Sequence, residues 1–91
     1  MDKIAYYWYH YTMKKLVGNK NLLIMFGKHV KSLRQENKLS QEELAYKAGL
    51  HRTYIGMIER GEKNITLINI EKIANAFDIP LNKLMEFNIG K

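Results

Sequence analysis

Arg52, Thr53 and Tyr54 stand together at the front of a short segment, HRTYIGMIERG. Ile55 and Ile58 are its apolar positions. Their i, i+3 spacing predicts a helix from about Arg52 to Arg60 that turns both inward and turns Arg52, Thr53, Gly56 and Met57 the other way. Polar groups in the first turn of such an exposed helix suit hydrogen bonding to base edges in a DNA groove. The preceding segment, SQEELAYKAGL, supplies a support for it. Ser40 and Glu43 form an S-x-x-E capping box, and Leu44, Ala45 and Ala48 make a narrow apolar face that permits close helix approach. Gly49 ends this helix at a position suited to positive φ, and Leu50 points back to the core. Ser40 to Gly61 thus reads as two short helices joined by a tight turn. That is the layout in which the second helix enters a major groove while the first crosses the backbone. Gln41, at the start of the first, lies where unpaired N–H groups favour phosphate.

Other chemistries find no support. The chain has no cysteine, and His10, His29 and His51 have no metal-site spacing. No Gly-rich phosphate loop, G-x-S-x-G or H-E-x-x-H occurs. Glu42 and Glu43 suit the positive end of a helix and need no catalytic role. The expectation is a protein that is not an enzyme and needs no cofactor or metal. The formal charge of +6 on 91 residues fits one small domain with an anionic partner, nucleic acid above all, although surplus surface lysine gives the same balance. No apolar run reaches the roughly 18 residues of a membrane span. The aromatic N-terminus, running into Lys14 and Lys15, lacks the pattern of a signal peptide. A cytoplasmic, nucleoid-associated protein is expected.

The remaining elements must hold the helix pair. Residues 22–37 predict a first core helix, capped by Asn21, with Phe26, Val30 and Leu33 on one face and Asn37 as its stop. Leu39 then tucks into the core. Thr66 is a candidate N-cap for a helix from Leu67 to Phe77, with Ile70, Ile73, Ala74 and Phe77 facing inward. Pro80 suits the first position of a short last helix over 80–87. Residues 88–91 form a tail. Residues 1–21 are an extension rich in Tyr, Trp and His from Tyr6 to Tyr11. Aromatics favour strands, yet Ile4, Trp8, Tyr11 and Lys15 fall at helical spacing. The reading taken is a helix, capped by Asp2 and ended at Gly18, with its aromatics packed on the domain or on a second subunit. A membrane-surface role, or a natural start at Met13 or Met25, are the other readings of this stretch.

SQEELAYKAGLHRTYIGMIERGEKN…LINIEKIANAFDIPLNKL resembles the lambda-repressor-like, Cro/Xre-type helix-turn-helix family over about Phe26 to Phe87. AGLHRTYI…IERGEKNITLINIEKIA is most similar to the controller proteins of restriction–modification systems. The resemblance implies an all-α, five-helix domain over 22–87. It implies a homodimeric, sequence-specific regulator of transcription that binds palindromic double-stranded operators and controls its own gene. Gln41 would bind a phosphate. Arg52, Thr53, Gly56 and Met57 would face bases, and Tyr54 would reach backbone or base. Lys63, Asn64 and Thr66 would touch the other phosphate strand. His51 joins this set at the cap of the recognition helix, where it replaces the usual Ser, Thr or Asp and predicts a weaker cap. Arg34 and Glu59 match a structural ion pair. Leu81, Leu84, Met85 and Phe87 would form the dimer contact. Gly56 and Met57 depart from the family pattern, so readout is expected to lean on Arg52 and on DNA shape. Competing readings are a phage-type repressor, or an antitoxin-like interaction module with a protein partner bound through residues 1–21.

Overall fold

The computed structural model describes residues 2–8 and 20–87, and all the regular structure among them is helical. Five helices follow in order over 20–87: α1 Lys20–Glu36, α2 Gln41–Ala48, α3 Arg52–Glu59, α4 Leu67–Ala76 and α5 Leu81–Leu84. The periodic apolar positions meet in one core. Phe26, Val30, Leu44, Ala45, Ala48, Ile55, Ile58, Ile73, Ala74, Phe77 and Leu84 are buried, and Leu33, Leu39, Leu50, Ile70 and Ile79 pack against them. α1 lies against α3, α3 against α2, α2 against α4, and α4 against α5.

Four helices end in the same way. Lys38, Gly49, Gly61 and Asp78 each adopt positive φ, at 57, 69, 73 and 58°. The next residue's N–H then donates to a carbonyl five residues back: Leu39 to Arg34, Leu50 to Ala45, Glu62 to Met57 and Ile79 to Ala74, all within 3.0 Å. This closure satisfies carbonyls that a helix end leaves unpaired. In three cases it also returns an apolar side chain, Leu39, Leu50 or Ile79, to the core. The expected stop at Asn37 is corrected by one position. Lys38 takes the left-handed backbone, while the Asn37 amide donates to the Leu33 carbonyl at 2.7 Å.

Three other boundaries move. α1 already includes Lys20, so Asn21 lies within the helix and is not its cap. The last helix spans only Leu81–Leu84, and Pro80 precedes it with extended ψ of 155°. Residues 3–8 are helical, and the Asp2 carboxylate accepts from the Ala5 N–H at 2.7 Å, as its cap position predicts. Ile4, Tyr7 and Trp8 are exposed there, and the rest of the aromatic run, from Tyr9 to Tyr11, lies outside the described residues. The expected stop at Gly18 and the tail at 88–91 lie outside the described residues.

Two glycines set the distance between α1 and the end of α3. A Cβ on Gly27 would overlap the Ile58 carbonyl oxygen and stand 2.7 Å from that of Glu59. A Cβ on Gly61 would stand 2.8 Å from the Ile24 Cα, besides the strain of its positive φ. Backbone thus meets backbone at this crossing. Gly27→Ala should therefore cost about 1–3 kcal/mol, the usual range for overpacking. The check is a lower urea midpoint with an unchanged denaturant slope.

The capping box of α2 forms as expected. The Glu43 carboxylate accepts from the Ser40 N–H at 2.8 Å, and the Ser40 hydroxyl oxygen accepts from the Glu43 N–H at 3.0 Å. The bond from the Ser40 backbone, then that with its side chain, holds the Glu43 carboxyl below its ordinary value of 4.5. A carboxyl depressed on folding stabilises above its unfolded value, and the contribution disappears as pH falls through the folded one. The stability gap between wild type and Glu43→Ala should be full above pH 4.5 and narrow below it, as read from urea midpoints across pH.

Candidate nucleic-acid interface

The helix pair is locked at its base by one carboxylate. Glu59, in the last turn of α3, is 8% exposed. It accepts from Arg34 Nε at 2.7 Å, from Arg34 Nη2 at 3.1 Å and from Gln41 Nε2 at 3.0 Å. Arg34 Nη1 also donates to the Leu39 carbonyl at 2.9 Å, tying α1 to the chain that leads into α2. A fork-shaped guanidinium matches the two carboxylate oxygens, and such charged bonds are short and strong. The ion pair expected of Arg34 and Glu59 is present, and Gln41 belongs to it. The amide of Gln41 is thereby held half-buried at the start of α2.

The turn into α3 places the next residues. His51 has extended backbone, and its Nδ1 accepts from the Thr53 N–H at 3.1 Å. An imidazole nitrogen that accepts carries no proton, so this cap requires the Nε2–H form of the ring. Arg52 and Thr53 follow on the first turn of α3 and are both exposed. Met57 is half-buried.

Gly56 lies on the same side of α3 as Arg52 and Arg60, as expected, yet it is buried. The side chains above it explain this. A Cβ at Gly56 would stand 3.2 Å from Arg60 Nη1 and 3.8 Å from Gln41 Oε1. The Arg60 guanidinium thus lies back along the helix over Gly56.

Tyr54 braces α3 to α4. It packs on the core, and its hydroxyl oxygen accepts from Asn69 Nδ2 at 3.0 Å. The Lys63 ammonium stands 5.7 Å from the centre of its ring, within cation–π range. Lys63, Asn64 and Thr66 are exposed on the segment between α3 and α4. The Thr66 hydroxyl oxygen accepts from the Asn69 N–H at 3.2 Å, so its capping role is realised. The sequence reading missed Asn69 and Arg60. The only sequence signal for Arg60 was its i+4 spacing from the anomalous Gly56. Nothing local marks Asn69, because its partner Tyr54 lies on another helix.

The expected dimer residues are unequally available. Leu84 is fully buried in the subunit's own core. Phe87 is half-buried, with its ring 5.6 Å from that of Phe26 and stacked 5.3 Å from that of His29. Leu81 is half-buried and Met85 is exposed. A small apolar groove of about 110 Å³ runs beside Met85 and Phe87, walled by Leu22, Ile65 and Ile70. Among the described residues, no group of three His, Asp or Glu is placed to hold a metal, and no helix is long and apolar enough to cross a membrane.

Comparison with known proteins agrees with this geometry. The helix-turn-helix family model HTH_3 matches residues 30–84. Control protein C.BamHI of Bacillus amyloliquefaciens is 44% identical over 68 residues, 74% of this chain and 84% of that protein. The crystal structure of the restriction–modification controller protein C.AhdI from Aeromonas hydrophila superposes with a TM-score of 0.67 at 47% identity, covering 68% of this chain and 94% of that one. The controller protein C.Esp1396I, solved as a tetramer on its natural 35 base-pair operator, gives a TM-score of 0.67 at 37% identity over 71% of this chain and 86% of that one. With its capped helix pair and these relatives, the chain belongs to the Cro/Xre-type helix-turn-helix family.

Proposed function

We propose that this protein is a sequence-specific DNA-binding regulator of transcription, of the controller kind, that binds a palindromic operator as a homodimer and regulates its own gene. One observation carries the reading. The start of α3 presents Arg52 and Thr53 to the outside, on a helix whose other face is fixed by core packing and by the buried Glu59. A basic chain, at +6, supplies the attraction to phosphate. The operator-bound relative supports the same docking.

In this reading residues 22–87 are the DNA-binding domain, 1–21 an extension and 88–91 a tail. Each subunit lays α3 in a major groove. Arg52 and Thr53 reach base edges, and Met57 packs on a thymine methyl. Gln41, at the start of α2, and Lys63, Asn64 and Thr66, after α3, bind phosphates on either side. His51 holds the first turn of α3 at the groove. Tyr54 acts chiefly as the brace that steadies Lys63. Gly56 contributes space and no contact of its own. The dimer forms through the face carrying Leu81, Met85 and Phe87, with Leu84 supporting it from beneath. Half-sites then lie about one turn, roughly 34–36 Å, apart. The protein acts in the cytoplasm, on the nucleoid, without enzymatic activity. The exposed Ile4, Tyr7 and Trp8, outside the family match, favour a second role for the extension, in binding a protein partner.

Selection of duplexes from random DNA should yield a palindrome. Arg52→Ala should weaken binding to it by about 1–3 kcal/mol and relax preference at the contacted position. Gel shifts on the selected site and on random duplex check this. An equal loss on both would mean that Arg52 contributes charge without readout.

A further inference from the structure

Arg52, Gly56 and Arg60 recur at i, i+4 and i+8, so they form one stripe along α3. Side chains on a helix lean toward its N-terminus. Arg60 therefore leans over Gly56 toward the end that carries Arg52. Its Nη1 lies 3.2 Å from where a Gly56 Cβ would be, and the Gln41 amide borders the same point at 3.8 and 3.9 Å. A guanidinium and an amide, from two helices, thus converge on one seam of the exposed surface.

The guanidinium is already held. Arg60 Nε donates to Glu62 Oε2 at 3.0 Å, with both side chains more than half exposed. Glu62 is the exception among the four helix ends. At the corresponding place the other three return Leu39, Leu50 and Ile79 to the core, whereas Glu62 faces solvent. Nothing in the packing of the subunit calls for a carboxylate here. It is an acid set between Arg60 and Lys63 in a basic chain.

We infer that Arg60 is a further phosphate-binding residue, seated at the Gln41–Gly56 seam, and that Glu62 is a positioning residue that occupies it in the free protein and is displaced by the DNA backbone. The inference rests on the DNA-binding reading above. Glu62 has two opposed effects. It keeps Arg60 over Gly56, and it repels the phosphate that must replace it. The hydrogen bond with Glu62 holds the guanidinium above its ordinary value and holds the carboxyl below its own. Phosphate offers the same planar pairing that a carboxylate does, so one can replace the other on the fork. Gly56 now has a physical reason. A methyl group there would displace Arg60, at its flexible end, and leave the backbone of α3 unchanged.

The test uses the full chain and a palindromic duplex selected by the wild-type protein, with a random duplex of equal length as control. Arg60→Gln should weaken binding to both duplexes alike, by roughly tenfold. It should lower the slope of log affinity against log salt by about 0.9 per subunit. Glu62→Gln should tighten binding severalfold. Gly56→Ala should raise Tm, because alanine is the better helix former, and still weaken binding. Opposite signs for stability and affinity would not arise from a merely structural role. Weaker binding by Glu62→Gln, together with a lower Tm, would overturn the inference and make the pair a staple of the turn. So would an Arg60→Gln protein with wild-type affinity or an unchanged salt slope. In that case a retained effect of Arg52→Ala would leave the regulator reading standing. Failure of the wild-type chain to bind DNA at all would overturn both.

Discussion

The position of α3 depends on the buried carboxylate of Glu59. Its oxygens receive two bonds from Arg34 on α1 and one from Gln41 on α2, so three helices converge on a single side chain. A buried ion pair gains little net stability, because taking both charges from water offsets most of their attraction. Its value lies in direction. Apolar packing tolerates small rotations, whereas a planar fork on a carboxylate tolerates few. Gly27 and Arg34 lie seven residues apart on α1, hence on one face with Val30 near its middle. Gly27 brings the α1 backbone against the Ile58 and Glu59 carbonyls, and Arg34 takes the Glu59 side chain. Distance and angle between the helices are therefore set by two residues of that one face.

The scaffold and the exposed surface follow different rules. Where the subunit needs only to be folded, its parts agree with one another. Ser40, Thr66 and His51 cap their helices, and positive-φ residues end them and return apolar side chains. Such agreement across levels is what gives a sequence one structure. Departures collect on the face proposed to meet DNA. Gly56 weakens the middle of α3, Glu62 replaces an apolar return residue, and Arg60 and Lys63 lie exposed.

Most of the scaffold was legible because its signals are local. The capping box, the glycine at 49 and the Thr66 cap depend on neighbours within a few residues, and the apolar periodicity fixed the core faces. Pro80 misled because its fixed φ also suits the residue before a helix. Lys38 was overlooked because lysine gives no sign of left-handed backbone. The position is imposed by the return of Leu39 to the core.

The sequence by itself determined the all-helical class, the helix pair from Ser40 to Gly61, the outward place of Arg52 and Thr53 and, through family resemblance, the Arg34–Glu59 pair. Each of these is a matter of spacing along one helix or of a pattern repeated in relatives. Only the tertiary structure decided that Gly27 is a point of backbone contact, that Tyr54 is braced by Asn69, that Leu84 is spent within the subunit, and that Gln41 belongs to the Glu59 network. It also decided that Arg60 covers Gly56. The reason is common to all but this last, which lies within one helix. A side chain's partner across a helix crossing is fixed by the angle and separation of two helices, and no local spacing encodes either.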